Sequence, residues 1–293
     1  MSLTDHAPRG LTVLGSAAGS GKTGLSMGVL RHLSMSGVDC QPMKAVAVVS
    51  PDDPAYLAVQ PWQRGVLHNC NAAGVPVRWW NNPVVVDLPY PGAPAGDLYI
   101  RGEHAGTAAG AGEDCLDVGA LPEHLRKRCE QAVLDGFAHL QAEGHWIVVE
   151  GAGGAGELEH ADDLANQVLP AHAGFPVVLV TNPLRSGHLA ALAGLPAMFV
   201  PTLRDLVIGF VLNQIGGSVR VPAVADRMSR ITGLPMLAAV DYSPQPDDYD
   251  GSPEALEAVY TRRRAYIEKS GLFERIPLPH APSTALRSAA GVR

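Results

Sequence analysis

The stretch that most restricts how this chain can fold is Val13–Gly24, VLGSAAGSGKTG. A short apolar run, Leu11–Leu14, leads into it. Lys22–Met35 follows, with Leu25, Val29, Leu30 and Leu33 at helical spacing. Strand, glycine-rich turn, Gly-Lys-Thr and helix is the arrangement in which successive backbone N–H groups and a helix N-terminus wrap a phosphate. The loop is longer than the common form. Five residues separate Gly15 from Gly21, and Ser16 stands where the first glycine usually does. A chance glycine turn would not account for Lys22, because lysine is scarce: the others are Lys44, Lys127 and Lys269. The expected phosphate cradle is therefore Gly15, Ser16, Ala18, Gly19, Ser20, Gly21, Lys22, Thr23 and Gly24. In it Lys22 reaches the β and γ oxygens and Thr23 holds Mg²⁺.

The rest of the chain alternates strand and helix. Gln41–Val49 reads as a second strand, and Trp146–Val149, Val177–Val180, Leu206–Leu212 and Leu237–Val240 as four more. Each is a continuous apolar run, as in strands buried on both faces of a parallel sheet. Helices are expected near 123–143, 163–172, 187–198 and 221–232. The pattern predicts an α/β fold, a doubly wound, mostly parallel sheet of the P-loop NTPase kind. Ligands of such sheets bind at the carboxyl ends of the strands. Glu150, Thr181 and Asn213 all fall there.

Two segments depart from this rhythm. Ser50–Gly119 is rich in Pro, Gly and Asn and too long for a plain loop, so it reads as an inserted substrate-binding section. Within it Val84–Val86 and Leu98–Arg101 are short strands. Residues 1–242 thus form the main domain. A polar linker, Ser243–Ser252, then leads to a helix from Pro253 to about Lys269, and a loose tail begins at Ile276.

The second chemical feature is VVEGAGG, Val148–Gly154. A carboxylate ending a buried strand beside a phosphate loop is placed to hold Mg²⁺, directly or through water, so Glu150 is the expected metal ligand alongside Thr23.

Composition excludes several classes. The 293 residues carry a net charge of −7, which does not suit a nucleic-acid phosphate surface. The basic runs Arg126–Arg128 and Arg262–Arg264 read as solvated helix faces. Cys40, Cys70, Cys115 and Cys129 show no metal or redox spacing, and reduced thiols in a cytoplasmic protein are expected. MSLTDHAPRG lacks the apolar core of a secretory signal, and no apolar run is long enough to span a bilayer, so no membrane partner is expected.

The ordered set of motifs resembles the dethiobiotin synthetase and cobyric acid synthase superfamily, and in particular the amidoligase domain of cobyric acid synthase. GSAAGSGKT matches that superfamily's extended loop, as do VVEGAGG and GFVLNQ (Gly209–Gln214). Pro42–Lys44 is similar to its proline–aromatic–lysine. AAGVP followed by NNPVVV resembles its Ala-Ala-Gly and Met-Asn-Pro. DLYIRGE, GELEHADDLANQ and LRSGH (Leu184–His188) follow in the same order, so the likeness runs from about Leu11 to Tyr242.

The resemblance implies an ATP- and Mg²⁺-dependent ligase that phosphorylates a small-molecule carboxylate and forms an amide with ammonia or another amine. It implies Lys22, Lys44, Glu150 and Glu157 as catalytic residues, Asn213 at the adenine, and a homodimer. Asp52 and Asp53 lie near but out of register with the family's acidic residue ahead of its Arg-Ala-Gln segment, and of the two Asp52 is taken as the further metal-side candidate, with Asp53 left open. Full-length relatives carry a glutaminase domain. This chain ends too early for one, so ammonia is expected from solution or from a separate glutaminase chain. Where the family has a lysine before the proline that follows Asn-Pro, this chain has Asp87, which points to a different and smaller acid.

Other readings differ on single residues. A dethiobiotin synthetase-like cyclo-ligase would follow its strand-2 lysine with proline and a Thr-Gly or Ser-Gly turn, and Lys44-Ala45-Val46 lacks these. A ParA/MinD-like ATPase switch would carry lysine at Ala17. A non-catalytic nucleotide-binding subunit would not need Gly21-Lys22-Thr23 with Glu150.

Overall fold

Valine- and leucine-rich runs that alternate with helices pair here as parallel strands, because each needs a helix on both of its faces. The computed structural model describes residues 9–109, 115–217, 219–244 and 248–279. The N-terminal residues 1–8, most of the expected tail (280–293), and parts of the expected insertion (110–114) and linker (245–247) lie outside the described residues.

In chain order the elements are β1 (Gly10–Gly15), α1 (Lys22–Met35), β2 (Cys40–Met43), β3 (Val46–Val49), α2 (Leu67–Ala73), β4 (Val84–Asp87), β5 (Ala95–Ile100) and β6 (Glu103–Ala109). Then come α3 (Glu123–Ala142), β7 (Trp146–Glu150), α4 (Leu169–Ala173), β8 (Val177–Thr181), α5 (His188–Met198) and α6 (Pro201–Arg204). The last are β9 (Val207–Ile215), α7 (Val221–Thr232), β10 (Met236–Asp241) and α8 (Pro253–Lys269). The main sheet has the order β10-β9-β8-β1-β7-β2, with every ladder parallel. This is the doubly wound α/β fold expected, with β1 and β7 side by side so that the phosphate loop and Glu150 leave the sheet together.

Gln41–Val49 is not one strand. It breaks at Lys44-Ala45, and β3 goes on to a second sheet of order β3-β4-β5-β6. The cause is local. Lys44 N–H donates to the Asn81 carbonyl (2.8 Å), and Asn82 Nδ2 donates to the Lys44 carbonyl (2.7 Å). A 3-10 turn at Trp79–Asn81 thus takes both Lys44 backbone groups out of the main ladder. In the second sheet β3 and β4 run parallel, and β4-β5-β6 is antiparallel. β5 ends at Ile100 rather than Arg101, because Arg101 (φ 56) and Gly102 (φ 80) make the hairpin turn. The expected helix over 163–172 is a π-turn at Leu164–Val168 followed by the short α4.

Three apolar clusters hold the layers. One joins α1 and α8 to one face of the main sheet, one packs α3 between the two sheets, and one lies under α5 and α7. Each fully buried leucine or valine in them stabilises the fold by roughly 1.5–3 kcal/mol. α8 begins at Pro253 with Ser252 Oγ accepting from Ala255 N–H (3.3 Å). It approaches α1 closely at Gly28, where a Cβ would fall 2.2 Å from Ile267 Cδ1. The described helices include none long and apolar enough to cross a membrane.

Candidate functional site: two cavities that meet at Lys44

The phosphate loop is fixed by the strands around it. Ser16 N–H donates to Val180 O (2.8 Å) and Ala155 N–H to Gly15 O (3.0 Å). Ser16 Oγ donates to Thr181 Oγ1 (2.9 Å). Gly19 and Gly21 take left-handed backbone (φ 69 and 89). A Cβ on Gly21 would also sit 2.1 Å from Asn213 Nδ2, so glycine is required there twice over. α1 starts at Lys22 with neither a side-chain cap nor an acidic residue in its first turn. The positive end of its dipole therefore faces the loop, which suits an anion. Ala18 and Gly24 flank this cradle, and Gly24 lies under the Arg263 side chain (3.6 Å from a Cβ position to Nε). Arg263 is half-buried rather than part of a solvated face.

Lys22 is buried and its Nζ donates to Gly153 O (2.6 Å), which joins the phosphate loop to the loop after Glu150. That second loop is in turn clamped by Asn166, which accepts from Ala152 N–H (3.1 Å) and donates to Ala152 O (2.8 Å). Asp163 orients Asn166 by accepting from its backbone N–H (2.8 Å) and its side chain. Burial pushes the Asp163 carboxyl up to about 6, with the Glu157 charge adding to the rise.

Glu150 is 1% exposed. Thr23 Oγ1 donates to its Oε1 (2.7 Å), Asn69 Nδ2 to its Oε2 (2.7 Å), and Lys44 Nζ lies 3.3 Å from Oε1. Burial alone would raise this carboxyl. The Lys44 ammonium, the Asn69 and Thr23 hydrogen bonds and Lys22 outweigh it and hold the pKa below the ordinary carboxylate value. A threonine hydroxyl and an ionised carboxylate 2.7 Å apart form an oxygen donor pair that fits Mg²⁺.

Two cavities meet here. The smaller, about 190 Å³, is lined by Gly19, Gly21, Lys22, Thr23, Glu150 and Gly153. The larger, about 400 Å³, extends between β3, the turn at Pro54–Ala58 and α2. Thr23, Lys44 and Val48 line both. Lys44 reaches this junction because its backbone was pulled out of the sheet.

The expected site residues fall as follows. Lys22, Thr23, Lys44 and Glu150 come together at the junction. Glu157 lies across from the phosphate loop, its Oε1 2.3 Å from where a Cβ on Gly154 would be. Its Oε2 accepts from the buried Cys115 thiol (3.5 Å), which burial and the Glu157 charge push up to about 12. Asn213 does not simply end a strand. The β9–β10 ladder skips from Leu212 to Ile215, and Gln214 is left-handed (φ 58). This bulge turns the Asn213 amide onto the phosphate loop, where Nδ2 donates to Ser20 O (3.1 Å) and Gly21 O (3.2 Å). Asp52 lines the larger cavity and does not line the phosphate cavity. Arg185 is exposed above the phosphate loop, with Nη1 2.9 Å from a Cβ position on Gly19.

Sequence reasoning missed Asn69, His68 and Arg64. His68 Nε2 lies 3.1 Å from Asp53 Oδ2 and its Nδ1 3.1 Å from Tyr260 Oη. Tyr249 Oη donates to Asp53 Oδ1 (2.9 Å). The wall of the larger cavity is thereby tied to α8, beyond the reach of any short motif. The four cysteines are buried and free.

No family model matches the chain. Curated relatives do. The cobyric acid synthase of Synechococcus sp. (strain JA-2-3B'a(2-13)) is 32% identical over 246 residues, taking in 80% of this chain and 45% of that one. That of Rhodococcus jostii (strain RHA1) is 32% identical over 242 residues, 80% of this chain and 44% of the relative. That of Acidovorax sp. (strain JS42) is 30% identical over 305 residues, 98% of this chain and 59% of the relative. The chain is a homologue of one part of the cobyric acid synthases. It spans about half the length of the curated relatives it matches: 45%, 46% and 44% of the first three. Solved structures of similar shape include the septum site-determining protein MinD with Mg-ADP from Pyrococcus horikoshii OT3 (TM-score 0.48, 14% identical, 98% of this chain and 99% of that one). FtsY from Elizabethkingia anophelis is another (TM-score 0.44, 13% identical, 88% and 66%).

Against the cobyric acid synthase pattern, the departure at Asp87 now has a local explanation. Arg64 Nη1 donates to Asp87 Oδ1 (2.5 Å), and its Nε donates to Tyr56 O (3.4 Å). Asp87 is thus neutralised inside the protein, and its partner braces the cavity wall.

Proposed function

We propose that this chain is an ATP-dependent amidoligase acting on a small carboxylic acid. The observation that carries the reading is the sharing of Thr23, Lys44 and Val48 by the phosphate cavity and the acid cavity. A γ-phosphate in the first would face a carboxylate in the second across the Lys44 ammonium. In the first step a carboxylate oxygen attacks the γ-phosphorus, the bond to the β-bridging oxygen breaks, and ADP leaves with an acyl phosphate formed. In the second, ammonia or another amine attacks the acyl carbon, the C–O bond to phosphate breaks, and the amide, inorganic phosphate and a proton are released.

Phosphoryl transfer asks a protein for positioning and charge rather than for a nucleophile. The α1 N-terminus and Lys22 bind the β and γ oxygens once Lys22 turns from Gly153. Lys44 holds the incoming carboxylate and offsets its repulsion with phosphate. Glu150, kept ionised, and Thr23 would hold Mg²⁺, whose chemistry is to neutralise charge on the phosphates. Glu157 positions the substrate or amine beside the phosphate loop, and Asn213 keeps that loop in shape next to the adenine side. Ammonia from solution or a separate glutaminase chain, and a homodimeric assembly, belong to the same proposal.

The test is ADP release by the purified chain with ATP, Mg²⁺ and ammonium across a panel of carboxylic acids. Acid-stimulated release together with an amide of the matching mass supports the ligase. Release that answers to DNA or lipid vesicles and to no acid would instead mark an ATPase switch.

A further inference from the structure

The larger cavity carries information about its occupant beyond the reacting carboxylate. Its basic neighbours are almost all engaged. Arg64 is held by Asp87 and by the Tyr56 carbonyl. His68 has both ring nitrogens occupied, by Asp53 and by Tyr260. Lys44 stands at the phosphate end, where one carboxylate must lie for transfer. Among the described residues that line this wall, no cation is left to neutralise a second carboxylate, and burying an unpaired charge is costly.

The groups that do lack partners are acceptors. Among the described residues the Asp52 carboxylate, which lines the cavity, takes part in no hydrogen bond or ion pair given by the structure. Asn69 is 2% exposed, and while its Nδ2 is bonded to Glu150, its Oδ1 is buried without a partner. A buried acceptor such as Asn69 Oδ1 is completed by a donor on a ligand, and Asp52, which is exposed, presents its carboxylate to solvent and to the cavity alike. Between these polar points Val48, Val49 and Leu88 offer an apolar wall. The volume, about 400 Å³, is at the small end of ligand pockets, which run from roughly 300 to 1,000 Å³.

We propose that the acid bound in this cavity is a compact amino acid: a single carboxylate at Lys44, a short aliphatic stem along Val48, Val49 and Leu88, and a protonated amino group donating to Asp52. The identity of the reacting group rests on the amidoligase reading, and the rest on the cavity. Asp52, expected on the metal side, is here assigned to the substrate ammonium. Asn69 Oδ1 accepts from an N–H beside Glu150, either that of the substrate or that of the attacking amine.

The experiment is calorimetric titration of the full chain, with Mg²⁺ and a non-hydrolysable ATP analogue, by butyrate, its α-, β- and γ-amino derivatives, and glutarate. At least one amino derivative should bind about ten-fold or more tightly than both butyrate and glutarate. Asp52→Asn should remove that advantage while leaving the affinities for Mg²⁺ and nucleotide unchanged. Glutarate binding as well as the best amino acid, no amino derivative exceeding butyrate, or a weakened Mg²⁺ affinity in Asp52→Asn would each overturn the proposal. ADP release in parallel samples with ATP, Mg²⁺ and ammonium separates the two levels. Amino acid preference without turnover leaves the binding proposal standing and removes the ligase. Turnover confined to dicarboxylates does the reverse.

Discussion

The cavity proposed for phosphate is held mainly by backbone on parallel strands, whereas the cavity proposed for the acid is held mainly by side chains reaching from separate segments. On the phosphate side β1, β7 and β8 fix Gly15, Ser16 and Ala155 through main-chain bonds, and the charged groups there, Lys22 and Glu150, are almost wholly enclosed. On the acid side the wall comes from β3, the turn at Pro54–Ala58, and α2, joined by Arg64–Asp87 and by the run Tyr249–Asp53–His68–Tyr260. A backbone-built site tolerates little variation in what it binds, and a side-chain-built one can be altered residue by residue. That difference teaches where a relative of the cobyric acid synthases would change substrate while keeping its phosphate chemistry.

The comparison can be broken most forcefully at Lys22. Lys22→Ala should cost about 10³-fold or more in ATP turnover, on the order of 4 kcal/mol of transition-state stabilisation, while the denaturation curve shifts little. Turnover near the wild-type rate would remove the site assignment.

Next comes Lys44, where the two cavities meet. Lys44→Met leaves the buried Glu150 carboxylate without its nearest cation and should lower stability by about 3 kcal/mol in urea at neutral pH. Glu150 also sets an acid limit. Its folded pKa is depressed, so its contribution is fully present above the ordinary carboxylate pKa and is lost as pH falls through the folded value. In Lys44→Met that acid-side loss should begin at higher pH, and a double variant with Glu150→Gln should recover part of the deficit.

Asp163 should behave oppositely. Burial raises its pKa to about 6 in the folded chain, so stability falls as pH rises from the ordinary aspartate value through about 6. Asp163→Asn should stabilise the protein by about 2 kcal/mol at mildly alkaline pH. The gain should vanish in acid, where both forms are neutral. A variant with an unchanged pH profile of the melting temperature would contradict this.

The smallest effect is expected on the acid side. Tyr260→Phe removes the partner of His68 Nδ1 and should cost about 1 kcal/mol. It should weaken acid binding a few-fold and leave nucleotide affinity unchanged. An equal loss in both would mean that the two cavities are not built separately.

The same division explains what could be read from the sequence. Val13–Gly24 and Val148–Gly154 are legible because a phosphate loop needs contiguous glycines between a strand and a helix. The parallel strands are legible because burial on both faces demands unbroken apolar runs. The break at Lys44-Ala45 is not visible locally, since its cause is a carbonyl and an amide from residues 81 and 82. β6 is composed of residues such as Ala, Gly and Thr on an exposed sheet edge, which give little strand signal. Asn69 and His68 have their roles only through Glu150, Asp53 and Tyr260, which lie 81, 15 and 192 residues away.

The central claim is that the acid's own oxygen accepts the γ-phosphate. It is tested most directly by giving the protein ATP, Mg²⁺, ammonium and an acid that stimulates ADP release, labelled with oxygen-18 in its carboxylate, and weighing the phosphate released. The account predicts that a single labelled oxygen passes from the acid to inorganic phosphate in each turnover, in step with amide formation. Phosphate that carries no label while ADP accumulates would contradict it.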